Sequence, residues 1–159
     1  EGNHRVLIFS QFRGMLDRIE KELPQLGLTS FKITGSTPSQ ERQEMTKAFN
    51  QGERDVFLIS LKAGGVGLNL TGADTVILVD LWWNPAVESQ AIGRAHRMGQ
   101  DQAVEVYRLV TRGTIEEKIQ ELQEEKKNLV SEVLDGTESR GSLTLTEIQE
   151  ILGISEAKT

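Results

Sequence analysis

Val56-Phe57-Leu58-Ile59-Ser60-Leu61-Lys62-Ala63-Gly64-Gly65-Val66-Gly67-Leu68-Asn69 is the stretch on which the fold turns. Four consecutive apolar residues, short and without alternation, read as a strand buried on both faces, as in a parallel sheet covered by helices. The chain then changes character at once. Ser60, Lys62 and three glycines in four positions (Gly64, Gly65, Gly67) follow the run. Glycines let backbone N–H groups come close to an anion, although the same segment also reads as a tight turn. It is neither a Walker loop nor a Rossmann fingerprint, because Leu70 stands where the third glycine of Gly65-Val66-Gly67 would be needed.

Outward from this segment, Val6 to Phe9, Ser30 to Ile33 and Thr75 to Val79 read as further buried strands, and Val104 to Leu109 as a fifth with more alternation. Helical patterns separate most of them. Phe12, Met15, Leu16, Ile19, Leu23 and Leu26 recur at helical spacing. Thr37-Pro38-Ser39-Gln40 predicts a helix start, with Thr37 as N-cap, Pro38 at the first position and Gln40 reaching back; Met45, Ala48 and Phe49 give that helix a core face. Asn84-Pro85 opens another helix and Gly99 closes it. Strands alternating with helices imply βαβ units, a mostly parallel sheet and an α/β/α sandwich. Beyond Gly113, Thr114 and Glu117 form a capping box before an apolar stripe from Ile115 to Leu134. A helix over 113–136 is predicted, then a flexible link and a last short helix within 137–159.

The 159 residues suit one domain with an extension. No apolar run is long enough to span a bilayer, and the first residues lack a signal-peptide pattern. With no cysteine and two histidines, thiolate and histidine-rich metal sites are excluded, and a reducing, intracellular setting is expected. The abrupt polar start before the first strand reads as part of something longer. The net charge of −6 is unevenly placed: residues 1–112 carry 13 basic and 13 acidic side chains, and residues 113–159 carry 5 and 11. A nucleic-acid binder is ordinarily basic, so any such partner has to be met by local contacts.

Ligands of an open parallel sheet bind beyond the carboxyl ends of its strands, and the unusual residues collect there. They are Ser10-Gln11, Thr34-Gly35-Ser36-Thr37, the glycine-rich segment, and Asp80-Leu81-Trp82-Trp83-Asn84-Pro85. On the helix from Pro85 to Met98, Gln90, Gly93, Arg94 and Arg97 share a stripe. Two arginines one turn apart, with a glycine that permits close approach, suit a triphosphate, since guanidinium matches phosphate bidentately and keeps its charge. A solvated basic face is the plainer reading. An exposed tryptophan at a strand end can stack on a base or sugar, or simply pack. For His96 a packing role is the expectation. Asp80 could orient an arginine or cap its turn.

These residues resemble a known family. Val6-Leu7-Ile8-Phe9-Ser10-Gln11-Phe12 is similar to helicase motif IV, Gly35 to Arg42 to the segment called IVa or IVb, and Leu58 to Asn69 to motif V. Gln90-Ala91-Ile92-Gly93-Arg94-Ala95-His96-Arg97-Met98-Gly99-Gln100 resembles motif VI of Swi/Snf-type superfamily-two ATPases, and its Ala-His-Arg-x-Gly-Gln ending is specific to them. The resemblance covers about residues 3–112 and implies the second RecA-like lobe of a motor on double-stranded DNA, with the helix from Thr114 as a brace. It implies arginine fingers at Arg94 and Arg97, a nucleotide side defined by Gln90, Gly67, Gly93 and Asp80, and DNA phosphate contacts from Ser10, Gln11, Gly35, Ser36, Lys62, Ala63 and Gly64. Trp83 would lie along the tracked strand.

The chain contains no Walker motif and no acidic Asp-Glu-x-His box. The resemblance places these, and with them ATP and Mg²⁺, on a first lobe, so the chain alone is expected to hydrolyse no ATP. The implied partners are duplex DNA, that first lobe, and a nucleoprotein or transcription complex, in nucleus or nucleoid. The alternatives are a regulatory RecA-like protein-binding module, a strand-separating helicase lobe and, more distantly, a Rossmann-like enzyme.

Overall fold

The computed structural model describes residues 3–60, 68–80, 92–93 and 103–132, with side chains as far as residue 125. They form two compact units, residues up to 80 with 92–109, and residues 110–132. The first unit is built on five strands: β1 (Val6–Ser10), β2 (Ser30–Ile33), β3 (Val56–Ser60), β4 (Thr75–Leu78) and β5 (Glu105–Arg108). All pair in parallel, in the order β2-β3-β1-β4-β5. The chain leaves β1 toward β2 on one side and leaves β4 toward β5 on the other. The connections diverge between β1 and β4.

Strand alternation sends side chains to two separate cores. Leu7, Phe9, Ile33, Phe57, Ile59, Val76 and Leu78 join Phe49 and Met45 of α2 (Ser39–Asn50). Ile8, Val56 and Leu58 join Leu16 of α1 (Arg13–Glu22) and Leu23 of the short 3₁₀ turn Leu23–Leu26. Among the described residues one helix therefore covers each face of the sheet, giving the expected RecA-like three-layer α/β/α sandwich. Phe49 is fully buried, edge-on to Phe57 at 5.2 Å.

Three local readings are corrected. The apolar set from Phe12 to Leu26 is not one helical face: α1 gives way to the 3₁₀ turn at Pro24, and Phe12, Met15 and Leu26 are exposed. Thr37 does not cap α2. Its hydroxyl accepts from the Thr34 amide at 3.0 Å, and Gln40 donates forward to Glu44 instead of reaching back. The strand read at 104–109 is confined to Glu105–Arg108, with all four residues exposed.

In the second unit, α3 spans Ile115–Glu132. The predicted box at its start closes one residue early: Glu117 accepts from the amide of Gly113, not of Thr114, and Glu116 accepts from that of Thr111. Ile119 is buried and Ile115 is exposed. The link and short helix expected within 137–159 lie outside the described residues.

Candidate nucleic-acid interface

The carboxyl ends of β1 and β3 are in register, with Ser10 opposite Ser60. Both serines are buried. The chain leaves β1 by a turn that Asp80, just beyond β4, holds closed. One carboxylate oxygen of Asp80 accepts from the Ser10 hydroxyl at 2.5 Å and from the Gln11 amide at 2.7 Å. The Ser10 hydroxyl in turn accepts from the Phe12 amide at 3.0 Å. Asp80 thus caps the turn that leaves β1; Arg94 and Arg97, which it could orient in the other reading, lie outside the described residues. Ser10 is 0% exposed and its proton is directed at Asp80. Its hydroxyl therefore builds the turn and is not presented at the surface.

A second turn, Thr34 to Thr37, lies beyond β2. Thr37 N–H donates to the Thr34 carbonyl, and the Thr34 and Ser36 hydroxyls are 3.0 Å apart. Arg42 of α2 reaches across: Nε donates to the Thr37 carbonyl at 2.7 Å, and Nη2 to those of Gly35 at 3.2 Å and Thr34 at 3.4 Å. Drawing three carbonyls toward one guanidinium fixes the orientation of the peptide units between them, with Gly35 and Ser36 exposed.

The two turns face one another across a groove of about 610 Å³, lined by Gln11, Phe12, Arg13, Gly14, Thr34, Gly35, Ser36 and Ser60. No acidic residue is among them, and Arg13 supplies a positive charge. A chain that is acidic overall thus keeps a cation, and no acid among the described lining residues, at the expected strand ends. Three of the sequence-predicted DNA contacts, Gln11, Gly35 and Ser36, share this groove, and Ser10 lies beneath it. Lys62, Ala63, Gly64, Gly67, Trp83, Gln90, Arg94 and Arg97 lie outside the described residues. Gly93 is helical and exposed, and a Cβ placed there would meet nothing within 4 Å. The groove adds Phe12, Arg13, Thr34 and Ser60 to the expected contacts; the helical spacing puts Phe12 on an apolar face, and nothing in the periodicity marks Arg13. Arg42 was visible as the end of the Gly35–Arg42 string, without its role.

The far side of the glycine-rich segment is anchored by α2. Asn50 donates to the Asn69 carbonyl at 2.7 Å and accepts from the Gly72 amide at 2.9 Å. Arg5 donates to the Gly72 carbonyl and stacks over Phe49 at 4.0 Å. A Cβ on Gly72 would lie 2.9 Å from both the Arg5 guanidinium and the Asn50 Cα, so glycine is required there. Among the described residues no cluster of three or more His, Asp or Glu side chains could hold a metal ion. Asp80, the one acid at the strand ends described, is already engaged.

Residues 1–99 match the family of the helicase conserved C-terminal domain. The chain belongs to this family. It is 51% identical over 136 residues to the TATA-binding protein-associated factor mot1 of Schizosaccharomyces pombe, covering 83% of the chain and 7% of that protein. It is 46% identical over 134 residues to the chromatin-remodeling ATPase INO80 of Homo sapiens, covering 84% and 9%. With the DNA repair protein RAD5 of Cryptococcus neoformans it shares 41% identity over 154 residues, covering 96% and 13%. The chain thus spans only about a tenth of the length of these relatives. Among solved structures, the C-terminal part of the Fun30 ATPase domain superposes with a TM-score of 0.73 at 33% identity, covering 94% of this helicase C-terminal lobe and 45% of that chain. The resemblance to Swi/Snf-type ATPases and the RecA-like fold are both borne out. No helix among the described residues is long and apolar enough to cross a membrane.

Proposed function

We propose that this helicase C-terminal lobe is one half of an ATP-driven translocase on double-stranded DNA. The groove at the carboxyl ends of β1 and β2 carries the reading. It gathers Gln11, Gly35 and Ser36, has no acid among its described lining residues, and offers peptide and hydroxyl groups beside the apolar surface of Phe12. Such donors suit phosphate oxygens, which position a duplex without reading its sequence. In this reading Ser10 supports the Gln11 turn from below, and Lys62, Ala63 and Gly64 extend the grip along the backbone. Trp83 lies against the tracked strand.

ATP and Mg²⁺ are held mainly by a first RecA-like lobe, which supplies the phosphate cradle and metal ligands absent from this sequence. This lobe completes the site with Arg94 and Arg97, whose guanidinium groups neutralise charge on the γ-phosphate, and with Gln90, Gly67 and Gly93 on the nucleotide side. Asp80 holds the turn that meets DNA and stands with these residues on the nucleotide side. Closure of the two lobes advances the duplex. The target is a nucleoprotein assembly on chromosomal DNA, in keeping with relatives named for TATA-binding protein, chromatin and DNA repair.

Joined to its first lobe, the protein should hydrolyse ATP in response to duplex DNA. The substitution Arg97→Ala should lower that rate by roughly 10³-fold or more, the usual effect of removing an arginine finger. The chain by itself should give no single-turnover hydrolysis. A rate insensitive to Arg97→Ala, or hydrolysis by the chain alone, overturns the mechanism. Efficient strand displacement on a tailed duplex would instead assign the lobe to a strand-separating helicase.

A further inference from the structure

Residues 68–73, which lead out of the glycine-rich segment, follow their course without a helix or strand of their own. Leu68 and Leu70 are buried in the core beside Phe49, and Asn69 between them is exposed. The turn that follows is loosely closed, with the Ala73 amide 3.4 Å from the Leu70 carbonyl. Side chains from elsewhere fix its peptide units. Asn50, the last residue of α2, brackets the turn with both ends of its amide: Nδ2 donates to the Asn69 carbonyl at 2.7 Å, and Oδ1 accepts from the Gly72 amide at 2.9 Å. Arg5 donates from Nη1 to the Gly72 carbonyl at 3.2 Å, and from Nη2 to the carbonyls of Glu53 and Arg54 at 2.7 and 2.9 Å. Gly72 is thus held through its amide by α2 and through its carbonyl by the residue before β1.

Stability is a poor account of Asn50. Its side chain is exposed, so water can replace both bonds, and such bonds add little net stability. Alanine at this position would also be the better helix former. What the amide supplies is geometry, a donor and an acceptor on two separate atoms that meet backbone groups three residues apart. Its place in α2 extends that geometry further. Near the other end of the helix, Arg42 holds the turn beyond β2 through the carbonyls of Thr37 and Gly35. From Arg42 to Asn50 is about 12 Å of helix. One helix therefore grips the Gly35 turn and, further along, the exit of the glycine-rich segment.

We infer that Asn50 is a positioning residue for hydrolysis: through Asn69 and Gly72 it sets the exit of the glycine-rich segment against α2, so that engagement of DNA at the Gly35 turn is passed along the helix to the nucleotide side at Gly67. The inference rests on the translocase reading above and adds to it a coupling residue outside the strings that resemble helicase motifs.

The test is steady-state ATP hydrolysis by the protein joined to its first lobe, with and without duplex DNA, for Asn50→Ala, Asn50→Asp, Gly72→Ala and the unaltered protein. Asn50→Ala should leave the urea midpoint, the KM for ATP and the basal rate near those of the unaltered protein. It should lower the duplex-stimulated kcat by about tenfold, since a small misplacement away from the chemistry lowers rate. Asn50→Asp keeps the acceptor for the Gly72 amide and loses the donor to Asn69, so its kcat should fall between the two. Gly72→Ala brings a Cβ to 2.9 Å from the Asn50 Cα and should reproduce the loss with the Asn50 amide intact. A stimulated kcat for Asn50→Ala equal to that of the unaltered protein overturns the inference. So does a fall of basal and stimulated rates together, in step with a fall in the urea midpoint, which marks a bond that serves stability alone. Either result leaves the translocase reading standing, because the unaltered protein still responds to the duplex. No stimulation of the unaltered protein, with native circular dichroism, overturns both.

Discussion

Asp80 gives one carboxylate oxygen to two donors, and the two differ in kind. One is the hydroxyl of Ser10, the other the backbone amide of Gln11. Removing the acceptor takes away both of these bonds at a site only 7% exposed. Asp80→Ala should therefore cost on the order of 2–4 kcal/mol in urea unfolding. Asp80→Asn keeps an acceptor oxygen in place and should cost about 1 kcal/mol. If the two variants unfold at the same midpoint, the carboxylate is not what holds the turn. The sequence placed Asp80 at a strand end and left its role open, since a cap and a charge partner look alike in one dimension. The roles of Ser10 and Arg42 were hidden for the same reason. Whether a hydroxyl faces solvent or a carboxylate 70 residues away is settled by the pairing of β1 with β4.

Elements were easier to read than their ends. β1, β3 and β4 were visible as short apolar runs, because a strand covered on both faces needs apolar side chains on both, whereas Ser30–Ile33, also read as buried, is mostly half-buried, with Lys32 paired to Asp17. Helix starts were less legible, because capping groups compete. Thr37 closes a turn instead of capping α2, and Glu117 meets the amide of Gly113 instead of that of Thr114. The entry to β3 shows a local device with a measurable consequence. The carboxylate of Asp55 accepts from the backbone amide of Thr29 and from its hydroxyl, each at 2.8 Å, which ties the start of β2 to that of β3. The Thr29 amide first, then its hydroxyl, hold Asp55 below its ordinary value; slight burial opposes this, and Arg5 assists. A carboxylate depressed in the folded state adds stability that is fully present above its unfolded value, near 3.9, and is lost as pH falls through the lower folded value. Unfolding midpoints should decline as the solution is acidified through that range, and Asp55→Asn should reduce the decline while lowering stability at neutral pH. A variant whose acid limb superimposes on that of the unaltered chain would show that other carboxylates carry it.

At the scale of the molecule, the charge distribution sets how this lobe meets DNA. All six net negative charges come from residues 113–159, since residues 1–112 are balanced. The groove is locally cationic, so attraction acts at contact while repulsion between an acidic protein and a polyanion acts at a distance. Salt separates the two, because the screening length is about 30 Å at 0.01 M and about 8 Å at 0.15 M. Glu121, Glu124 and Glu125 of α3 are exposed, and glutamine has nearly the same helix propensity, so replacing all three changes charge with little effect on folding. The triple variant Glu121→Gln, Glu124→Gln, Glu125→Gln moves the net charge from −6 to −3, by three charges removed from the total. Its association with a duplex should be faster than that of the unaltered chain near about 0.01 M salt, and the two should converge near about 0.15 M, where screening is strong. Equal rates at both salts would mean that the excess charge is too dispersed to be felt. An advantage that persists at the higher salt would mean that these carboxylates stand close to the bound DNA, and α3 would then belong to the interface itself.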